Sequence, residues 1–328
     1  MKKYALTLNI SFLYRLLNSV CMKLSKPIAL IVLTFLLSCT STSNEKVVVN
    51  FSETSTQDTD VVGNDSKEVY IAIASMTSPK ETFIYYGDLI KYISDKVGYP
   101  IYIKQKKTYE EVNILLENSE VDFAFICSGA FADKYDGGKL KLLVAPVIDD
   151  KITYHAYIIA QKDSQIEKFE DFENNSFAFT DPLSNTGRLY PLKNLSLLNK
   201  NEEEFFLKTI YTYGHDISIQ MVNRGIIDGA SVHGLIYDYL SLYQPEKVEN
   251  VKVIEVSEPY GIPPVVVPLS LSKKYSDEYR EVFLNIHNDS VGKKILDKLN
   301  IDRFVVVDDK IYKSVIELKE FIDNVATK

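Results

Sequence analysis

The segment "FTDPLSNTGRLYP", residues 179–191, concentrates side chains that can hold an anion. Ser184, Asn185 and Thr186 supply hydroxyl and amide donors. The preceding Asp-Pro pair ends an apolar, strand-like stretch, and the three polar residues are common N-cap types, so a helix is expected to begin here. A helix start offers free N–H groups at the positive end of its dipole, and Gly187 lets the backbone approach a ligand. The motif therefore predicts a site for a phosphate-like anion; the alternative is an ordinary capped helix without a ligand.

The net charge requires local donors to hold such an anion. The 328-residue chain has a formal charge of −8, which argues against a nucleic-acid partner because such proteins usually present a basic face. Residues 1–38 contain five Lys and Arg and no acidic residue, so the remainder carries 32 basic and 45 acidic residues, a formal −13. Only nearby groups can hold an anion against that field. Arg188, four residues after Ser184, is an available cation, but its position is also consistent with a solvent-facing side chain.

The N-terminus has the pattern of a leader. From Met22 the sequence "MKLSKPIALIVLTFLLSC" places two lysines before a short apolar run and a Ser-Cys pair, which is typical of a secretory signal and too short to span a bilayer. We predict a signal peptide over 1–38, with Met22 as a candidate true start. The segment resembles a bacterial lipoprotein signal in which Cys39 becomes the lipid-bearing residue; the alternative is a plain signal with an incidental cysteine. Residues 40–66, rich in Ser, Thr, Asn and Asp, are predicted to form a flexible tether.

Other chemistry-bearing patterns are few. Two of the three cysteines lie in or at the leader, so Cys127 is left alone and no intrachain disulfide is expected in the mature chain. Cys127 ends an apolar run with no base assigned beside it, which favours a buried inert thiol over a nucleophile. Neither metal-ligand spacing nor a nucleotide-type phosphate loop occurs in the sequence, so no metal and no cofactor are predicted.

Strand-like and helix-like segments alternate from Val69 onward. Apolar runs such as "VYIAIAS" and "VDFAFI" indicate buried strands. Apolar residues recur at helical spacing over 83–97 and stop at Gly98, a typical C-cap. Thr108 and Glu111 have the spacing of a capping box at the start of another helix. The alternation predicts an α/β fold with helices on the faces of the sheet.

A second series of strands and helices follows the first, which predicts two lobes. We predict that 67–160 together with 258–328 form lobe 1 and that 161–257 form lobe 2. Ligands of such sheets bind beyond the carboxyl ends of the strands, and here that place is the cleft between the lobes.

Several segments together resemble a known family. The opening motif, "TYGHD" at 212–216, "IIDGASVHG" at 226–234 and the lipoprotein-like leader are similar to the phosphonate and phosphite binding proteins of bacterial ABC importers. The order and spacing of these segments match from Val69 to Val307. The resemblance implies a two-lobed type II periplasmic binding protein fold that closes on its ligand about a hinge.

The resemblance also implies a set of ligand contacts. The Ser-Asn-Thr run corresponds to the family's hydroxyl-rich run that grips the phosphonate oxygens, with Asn185 in place of a usual hydroxyl residue. His215 matches a histidine that contacts the oxyanion, and Tyr109 and Tyr154 match tyrosines that donate from the other lobe. Each tyrosine is also compatible with a core position, and His233 is a further candidate contact. Neutral donors suit an oxyanion because they bring no full charge into a dry cleft.

Two departures from the family reduce the number of expected ligands. Where members that take aminoalkylphosphonates have carboxylates for the ligand's ammonium group, this chain has Leu235 and Pro263. Neither pairs with a cation, so the expected ligand lacks an amine and is phosphate, phosphite or a short alkylphosphonate. Many relatives carry an acid where this chain has His233, which argues against a hydrogen-bearing phosphorus ligand.

Three functions follow, in order of preference. The first is a lipid-anchored, extracytoplasmic binding protein that delivers a small phosphorus oxyanion to an ABC permease and its ATPase. The second keeps the fold but presents the bound state to a membrane histidine kinase. The third is an enzyme on the same scaffold, which requires a nucleophile and a base in the cleft, and only Cys127 with a histidine supplies them. We therefore predict a binding protein and not an enzyme.

Overall fold

The computed structural model describes residues 67–135 and 138–326. The predicted signal peptide over 1–38 with its candidate start Met22, the lipidation site Cys39 and the tether over 40–66 lie outside the described residues. Within the described ranges, no helix has the length and apolar character needed to cross a membrane.

Thirteen strands and ten α-helices alternate along these residues. The strands are β1 (Val69–Ile73), β2 (Ile101–Lys104), β3 (Phe123–Phe125), β4 (Leu140–Val147), β5 (Thr153–Tyr154), β6 (Ala156–Gln161), β7 (Ser176–Phe179), β8 (Lys208–Tyr211), β9 (Gly229–His233), β10 (Val251–Val256), β11 (Tyr260–Gly261), β12 (Val265–Pro268) and β13 (Arg303–Val305). The α-helices are α1 (Pro79–Val97), α2 (Tyr109–Glu117), α3 (Ser128–Tyr135), α4 (Tyr190–Leu197), α5 (Glu202–Phe205), α6 (His215–Asn223), α7 (Gly234–Tyr243), α8 (Lys273–Asn285), α9 (Ser290–Lys298) and α10 (Lys313–Ala326).

The strands form two main sheets and a small ribbon. The six-stranded sheet has the order β13-β4-β12-β3-β1-β2, and the five-stranded sheet has the order β10-β6-β9-β7-β8. We call the first sheet with α1–α3, α8 and α9 the first lobe, and the second sheet with α4–α7 the second lobe. The chain leaves the first lobe through β5 and returns through β11, and these two strands pair antiparallel. Both sheets are mixed, with parallel pairs such as β1 with β3 and β7 with β9.

Helix α1 shows how local signals place the elements of the first lobe. Pro79 lies in its first turn, where a missing N–H costs nothing. Gly98 ends it in the left-handed conformation, with φ of 73°, and donates its N–H to the Ser94 carbonyl. The predicted end of this helix is confirmed. Its buried face packs on the sheet through Leu89, Ile90, Ile93 and Val97. Burial of each such side chain stabilises the fold by roughly 1.5–3 kcal/mol.

The predicted capping box at the start of α2 is confirmed. The Glu111 N–H donates to the Thr108 hydroxyl at 3.2 Å, and the Thr108 N–H donates to the Glu111 carboxylate at 2.9 Å. The box fixes the first turn of the helix, and Tyr109, the first helical residue, is fully buried. The cap therefore positions one of the predicted ligand contacts.

The C-terminal helix α10 contacts the cores of both lobes. Val315, Leu318 and Ile322 pack into the core of the second lobe, whereas Ile316 packs against buried clusters of both. The lobe limits predicted from the sequence place 313–326 in lobe 1, so these contacts with the second lobe are a difference from that assignment. The reason is that three apolar positions on one helix face meet the aromatic core of the second lobe.

Candidate ligand-binding site

The Ser-Asn-Thr run opens a π-helical turn, Asn185–Leu189, that leads into α4. Because Pro191 lacks an N–H, the sequence predicts that the helix begins late or bends. The structure confirms the late beginning: a wider π turn comes first, in which the Leu189 N–H donates to the Ser184 carbonyl at 3.0 Å, and regular α-helix begins only at Tyr190. π turns are uncommon and often occur at functional sites.

The backbone amides of this turn are only partly available. The Gly187 N–H donates to the Ser184 hydroxyl at 2.9 Å, and the Asn185 N–H lies at the Cys127 thiol. The Thr186 N–H has no acceptor within the described part of the chain, as expected for the second residue of a helix. The sequence predicts several free amides, and the structure leaves this one. Side chains must supply most of the other donors.

Glycine is required at position 187 because the turn packs tightly. A Cβ atom there would lie 2.5 Å from the Thr180 hydroxyl and 2.9 Å from the Ser184 hydroxyl. This close approach holds the polar run against the end of β7 and places its three side chains in the interior. Ser184, Asn185 and Thr186 are all fully buried.

Tyr154 connects this turn to the first lobe. Its hydroxyl forms a 2.7 Å hydrogen bond with the Ser128 hydroxyl and accepts from the Asn185 amide at 3.1 Å. Its ring lies against the His233 ring, with centroids 4.3 Å apart. Burial raises the pKa of the Tyr154 hydroxyl well above its usual value, so it stays a neutral group. The side chain packs with the core of the second lobe, while its hydroxyl reaches Ser128 of the first lobe.

His215 is held as a neutral donor. The His233 backbone N–H donates to His215 Nδ1 at 3.1 Å, and the Thr180 hydroxyl lies 3.0 Å from the same atom. An acceptor at Nδ1 places the ring proton on Nε2. Burial lowers the pKa of His215 well below its usual value, so the ring carries no charge. His215 therefore presents one N–H group, at Nε2, to the interior.

Several buried polar atoms in this cluster have no hydrogen-bond partner among the described residues. They are Tyr109 Oη, Asn185 Oδ1, Thr186 Oγ1, His215 Nε2 and His233 Nδ1. A buried polar group left unpaired costs about 1–3 kcal/mol, so such a concentration in one place calls for a function. We call Tyr109, Tyr154, Thr186, His215 and the rest of the Ser-Asn-Thr run the donor cluster.

The two lobes touch around the donor cluster. The Tyr109 N–H donates to the Asp181 carboxylate at 3.1 Å, and the Ser78 N–H donates to the Asp216 carboxylate at 2.8 Å. A Cβ atom on Gly129 would lie 2.3 Å from the Leu183 carbonyl oxygen. First-lobe residues thus meet second-lobe residues across the site, which is the geometry of a closed cleft.

A cavity of about 140 Å³ adjoins the cluster. Leu235 and Pro263, the residues that stand where some relatives have carboxylates, both line it. His233 and Asp216 are its polar neighbours on the second-lobe side. Burial lowers the pKa of His233 to about 3 and raises that of Asp216. The site therefore combines neutral hydrogen-bond donors with a cavity whose lining is largely apolar.

Two residues considered from the sequence lie apart from the donor function. Arg188 donates to the Tyr211 hydroxyl at 2.7 Å and pairs with Glu202 at 3.5 Å, on the outer side of the turn. Cys127 is fully buried, and burial raises the pKa of its thiol, which is the state of an inert structural cysteine.

The sequence reasoning missed Ser128 and Asp216 as parts of the site. Ser128 directly follows Cys127 and is the first residue of α3, shortly after β3 ends, so the strand-end signal applied to the cysteine also pointed to the serine. Asp216 stands inside the quoted "TYGHD". Over the ranges 67–135 and 138–326, no group of three or more His, Cys, Asp or Glu side chains is arranged to hold a metal ion.

Comparisons with known proteins agree with this architecture. Curated relatives include a probable ABC transporter phosphite binding protein of Prochlorococcus marinus, 25% identical over 161 residues, which is 47% of this chain and 54% of that protein. Another is the phosphonates-binding periplasmic protein of Escherichia coli, 27% identical over 150 residues, 44% of each chain. The chain spans about half the length of the curated relatives it matches.

Solved structures match over more of the chain. A binding protein component of an ABC phosphonate transporter from Pseudomonas aeruginosa superposes with a TM-score of 0.75 at 24% identity, covering 80% of this chain and 90% of that one. A Prochlorococcus marinus protein in complex with methylphosphonate superposes with a TM-score of 0.71 at 17% identity, covering 79% and 99%. The predicted two-lobed type II periplasmic binding protein fold is thus confirmed.

A family model covers most of the described chain. It is the model for the periplasmic substrate-binding proteins of phosphonate ABC transporters, and it matches residues 71–312. The match includes both sheets, the connecting ribbon and every residue of the donor cluster. The chain therefore belongs to the family of phosphonate-type periplasmic substrate-binding proteins of ABC transporters.

Proposed function

We propose that this chain is the substrate-binding component of an ABC importer and closes its two lobes on a small phosphorus oxyanion. The proposed contacts are Ser184, Asn185, Thr186, His215, Tyr109 and Tyr154, with His233 at the edge. Closure works by population shift, because only the closed form lets Tyr109 from the first lobe and Thr186 from the second reach one ligand.

The observation that carries the proposal is the convergence of buried, neutral donors without partners. The Tyr109 hydroxyl lies near Ser184, and the Thr186 hydroxyl lies near Tyr154. Tyr109 Oη, Thr186 Oγ1 and His215 Nε2 nevertheless each have a hydrogen to donate and form no hydrogen bond among the described residues. Hydrogen bonds to a charged group contribute about 1.5–3 kcal/mol each. An oxyanion with three acceptor oxygens satisfies several such donors at once, whereas a cation or an apolar molecule satisfies none.

We further propose that the ligand lacks an amine. Leu235 and Pro263 border the cavity and provide no charge for an ammonium group. Of the residues that line the cavity, one is acidic, Asp216; its Oδ1 accepts from the Ser78 N–H, whereas its Oδ2 has no partner among the described residues and is the carboxylate oxygen of the lining that an ammonium group would pair with. Phosphate, phosphite and alkylphosphonates remain the candidate ligand class, and an aminoalkylphosphonate is the informative competitor.

Location and partners follow from the family and the leader. The family implies an extracytoplasmic position and delivery to a permease with its ATPase. Anchoring through lipidated Cys39, with 1–38 removed as a signal peptide, is part of the proposal and rests on the leader sequence alone. No feature of the described residues favours the sensor alternative, in which a histidine kinase reads the bound state.

Calorimetry on the purified full-length chain in detergent tests the proposal. Phosphate, phosphite, methylphosphonate and 2-aminoethylphosphonate are titrated separately, with sulfate as the control anion. We expect at least one phosphorus oxyanion without an amine to bind more tightly than sulfate and 2-aminoethylphosphonate. Failure of phosphate, phosphite and every phosphonate to bind contradicts the function, and preference for the amine contradicts the ligand class.

A pair of threonine variants ties binding to the donor cluster. Thr186→Val removes one unpartnered hydroxyl and is expected to weaken oxyanion binding roughly tenfold or more, since a donor to a charged ligand is lost. Thr209→Val makes the same change on the half-buried strand β8, away from the cluster, and is expected to leave affinity unchanged. Equal affinities of the two variants would remove Thr186 from the site.

A further inference from the structure

The cavity beside the donor cluster has the walls of an apolar chamber. Aliphatic and aromatic side chains from both lobes surround its volume of about 140 Å³. They include Met76, Tyr86, Phe125, Leu235, Ile236 and Pro263. The two threonines at its margin, Thr77 and Thr82, bond to each other at 3.0 Å and so leave their hydroxyls satisfied.

His233 joins this cavity to the donor cluster. It lines the cavity, its ring lies 4.3 Å from the Tyr154 ring, and its backbone N–H donates to His215. His233 is therefore shared by the donor cluster and the wall of the cavity, so the two regions are neighbours.

The size of the cavity sets the size of that group. A dry cavity of about 150 Å³ lined by Leu, Ile and Phe accommodates benzene. The present cavity is similar in volume, and most of its lining is aliphatic or aromatic although Asp216 and His233 also border it, so it fits a phenyl ring or an alkyl chain of roughly four to six carbons. A bare phosphate or a methyl substituent leaves most of that wall surface without packing partners, and unfilled apolar space is unfavourable.

We infer that the ligand of this protein carries an apolar substituent of phenyl or butyl-to-hexyl size on its phosphorus, either directly or through an ester oxygen. The inference rests on the proposed function and narrows its ligand class: the donor cluster holds the oxyanion, and the cavity selects what is attached to it. Leu235 and Pro263 then have a positive role, since they form part of the apolar wall.

A homologous series of phosphonates tests the inference by calorimetry on the full-length chain. Each methylene that enters the cavity is expected to tighten binding about fourfold. Butylphosphonate and phenylphosphonate should therefore bind roughly thirty- to hundredfold more tightly than methylphosphonate. Phenyl phosphate, compared with phenylphosphonate, shows whether the natural link is an ester oxygen or a direct bond.

The outcomes separate this inference from the proposed function. If methylphosphonate or phosphate binds as tightly as the butyl and phenyl compounds, the inference is overturned while the transport function stands. If none of the oxyanions binds, the proposed function itself fails. Propylphosphonate has nearly the same length as 2-aminoethylphosphonate. If the amine binds more tightly, Asp216 is assigned as a partner of the ammonium group, and the inference of an apolar substituent is overturned.

Two leucines of helix α7 provide matched variants. Leu235→Trp fills the cavity and is expected to weaken phenylphosphonate binding roughly tenfold or more while methylphosphonate changes less than about threefold. Leu242→Trp makes the same substitution at a 70% exposed position of that helix and should change neither. Should Leu235→Trp fail to fold, Leu235→Ala enlarges the cavity and is expected to shift the preferred chain towards longer alkyl groups. An unchanged chain-length preference in the folded variants contradicts the inference.

Discussion

The donor cluster and the apolar cavity lie side by side but are built differently. The Ser-Asn-Thr run places its donors through a short turn in which the Ser184 hydroxyl accepts from the Gly187 N–H, and the His215 ring is held by the His233 N–H. The cavity draws its walls from positions as distant in the sequence as Met76 of the first lobe and Leu240 of the second, so it exists only where the two lobes meet. The donor cluster thus depends in part on a local turn, whereas the cavity depends on the tertiary fold alone.

This difference assigns separate tasks to the two regions. Hydrogen-bond donors recognise the oxyanion, which all phosphorus ligands of the candidate class share. The apolar wall distinguishes ligands by what the phosphorus carries, because burial of apolar area is additive and non-directional. A change in the donor cluster should therefore weaken every ligand alike, whereas a change in the cavity should alter their ranking.

The largest effect is expected from a variant that disturbs both regions at once. Gly129→Ala places a Cβ atom 2.3 Å from the Leu183 carbonyl and 2.7 Å from the Asn185 nitrogen, across the contact between the lobes. Both neighbours are backbone atoms, so the lobes must separate, and we expect a loss of roughly 3 kcal/mol or more in binding, above a hundredfold. Calorimetry with methylphosphonate and phenylphosphonate measures it.

Gly87→Ala is the matched control for that variant. Position 87 lies inside helix α1 with nothing within 4 Å of the added Cβ atom, and alanine there is expected to keep or slightly raise stability. Binding by Gly129→Ala within about tenfold of the unaltered chain would show that the lobes close without this contact.

The second effect separates the two regions. His215→Asn keeps an oxygen acceptor near the Nδ1 position, for the His233 N–H, but has no group that reaches the Nε2 position. We expect every phosphorus ligand to bind roughly ten- to hundredfold more weakly, while the gain per added methylene stays the same. A phosphonate series measured on this variant by calorimetry checks both statements.

A chain-length dependence that disappears in His215→Asn would contradict the division of tasks. Such a result would mean that the donor cluster also aligns the cavity walls. His215→Gln, which carries an amide near the Nε2 position, serves as the conservative partner and is expected to recover part of the affinity.

Much of the fold was accessible from the sequence because its signals are local. Gly98 and the Thr108 capping box mark helix limits that the structure confirms. The four prolines between Pro259 and Pro268 predict that this stretch is not a central strand throughout. In the structure Tyr260–Gly261 form one strand of the connecting ribbon and Val265–Pro268 form a strand inside the six-stranded sheet, with residues 262–264 between them outside any strand.

The site was accessible only in part. The motif identified the residues of the buried turn, but side-chain hydroxyls and Cys127 take two of its amides, because Gly187 and Gly129 bring the backbone close. The cavity has no local signature. Its volume depends on how α7 of the second lobe meets Tyr86 and Phe125 of the first, and that packing is a tertiary property.

The third effect concerns stability and tests the neutral state of the two histidines. Burial lowers the pKa of His233 to about 3 and that of His215 well below 6.5, so the unfolded chain binds more protons than the folded chain as pH falls below 6.5. Stability is fully present above pH 6.5, and each histidine should remove about 1.4 kcal/mol per pH unit below it. Asp181 and Asp216, whose pKa values burial raises, act in the opposite direction at the acid end.

Denaturant unfolding between pH 7 and pH 5 measures this slope. In His215→Asn the dependence of the unfolding free energy on pH should lose the contribution of one histidine, about 1.4 kcal/mol per pH unit. The cavity and its ranking of ligands should stay unchanged. A slope identical to that of the unaltered chain would mean that His215 is charged or solvated in the folded protein.

The smallest effect is expected at a contact outside both regions. Lys247 of the second lobe pairs with Glu81 of the first at 3.1 Å, and their side chains are 20% and 16% exposed. Lys247→Met keeps the length of the side chain and removes its charge. It is therefore expected to weaken closure of the lobes without changing the donor cluster or the cavity wall. An exposed or half-buried ion pair contributes about 1 kcal/mol or less, which predicts an affinity loss of at most about fivefold, equal for methyl- and phenylphosphonate. Lys91→Met, at a 74% exposed pair within α1, is the control and should have no effect. Unequal losses for the two ligands would place Lys247 in the recognition of the substituent, and the separation between an anion region and an apolar region would then be incomplete.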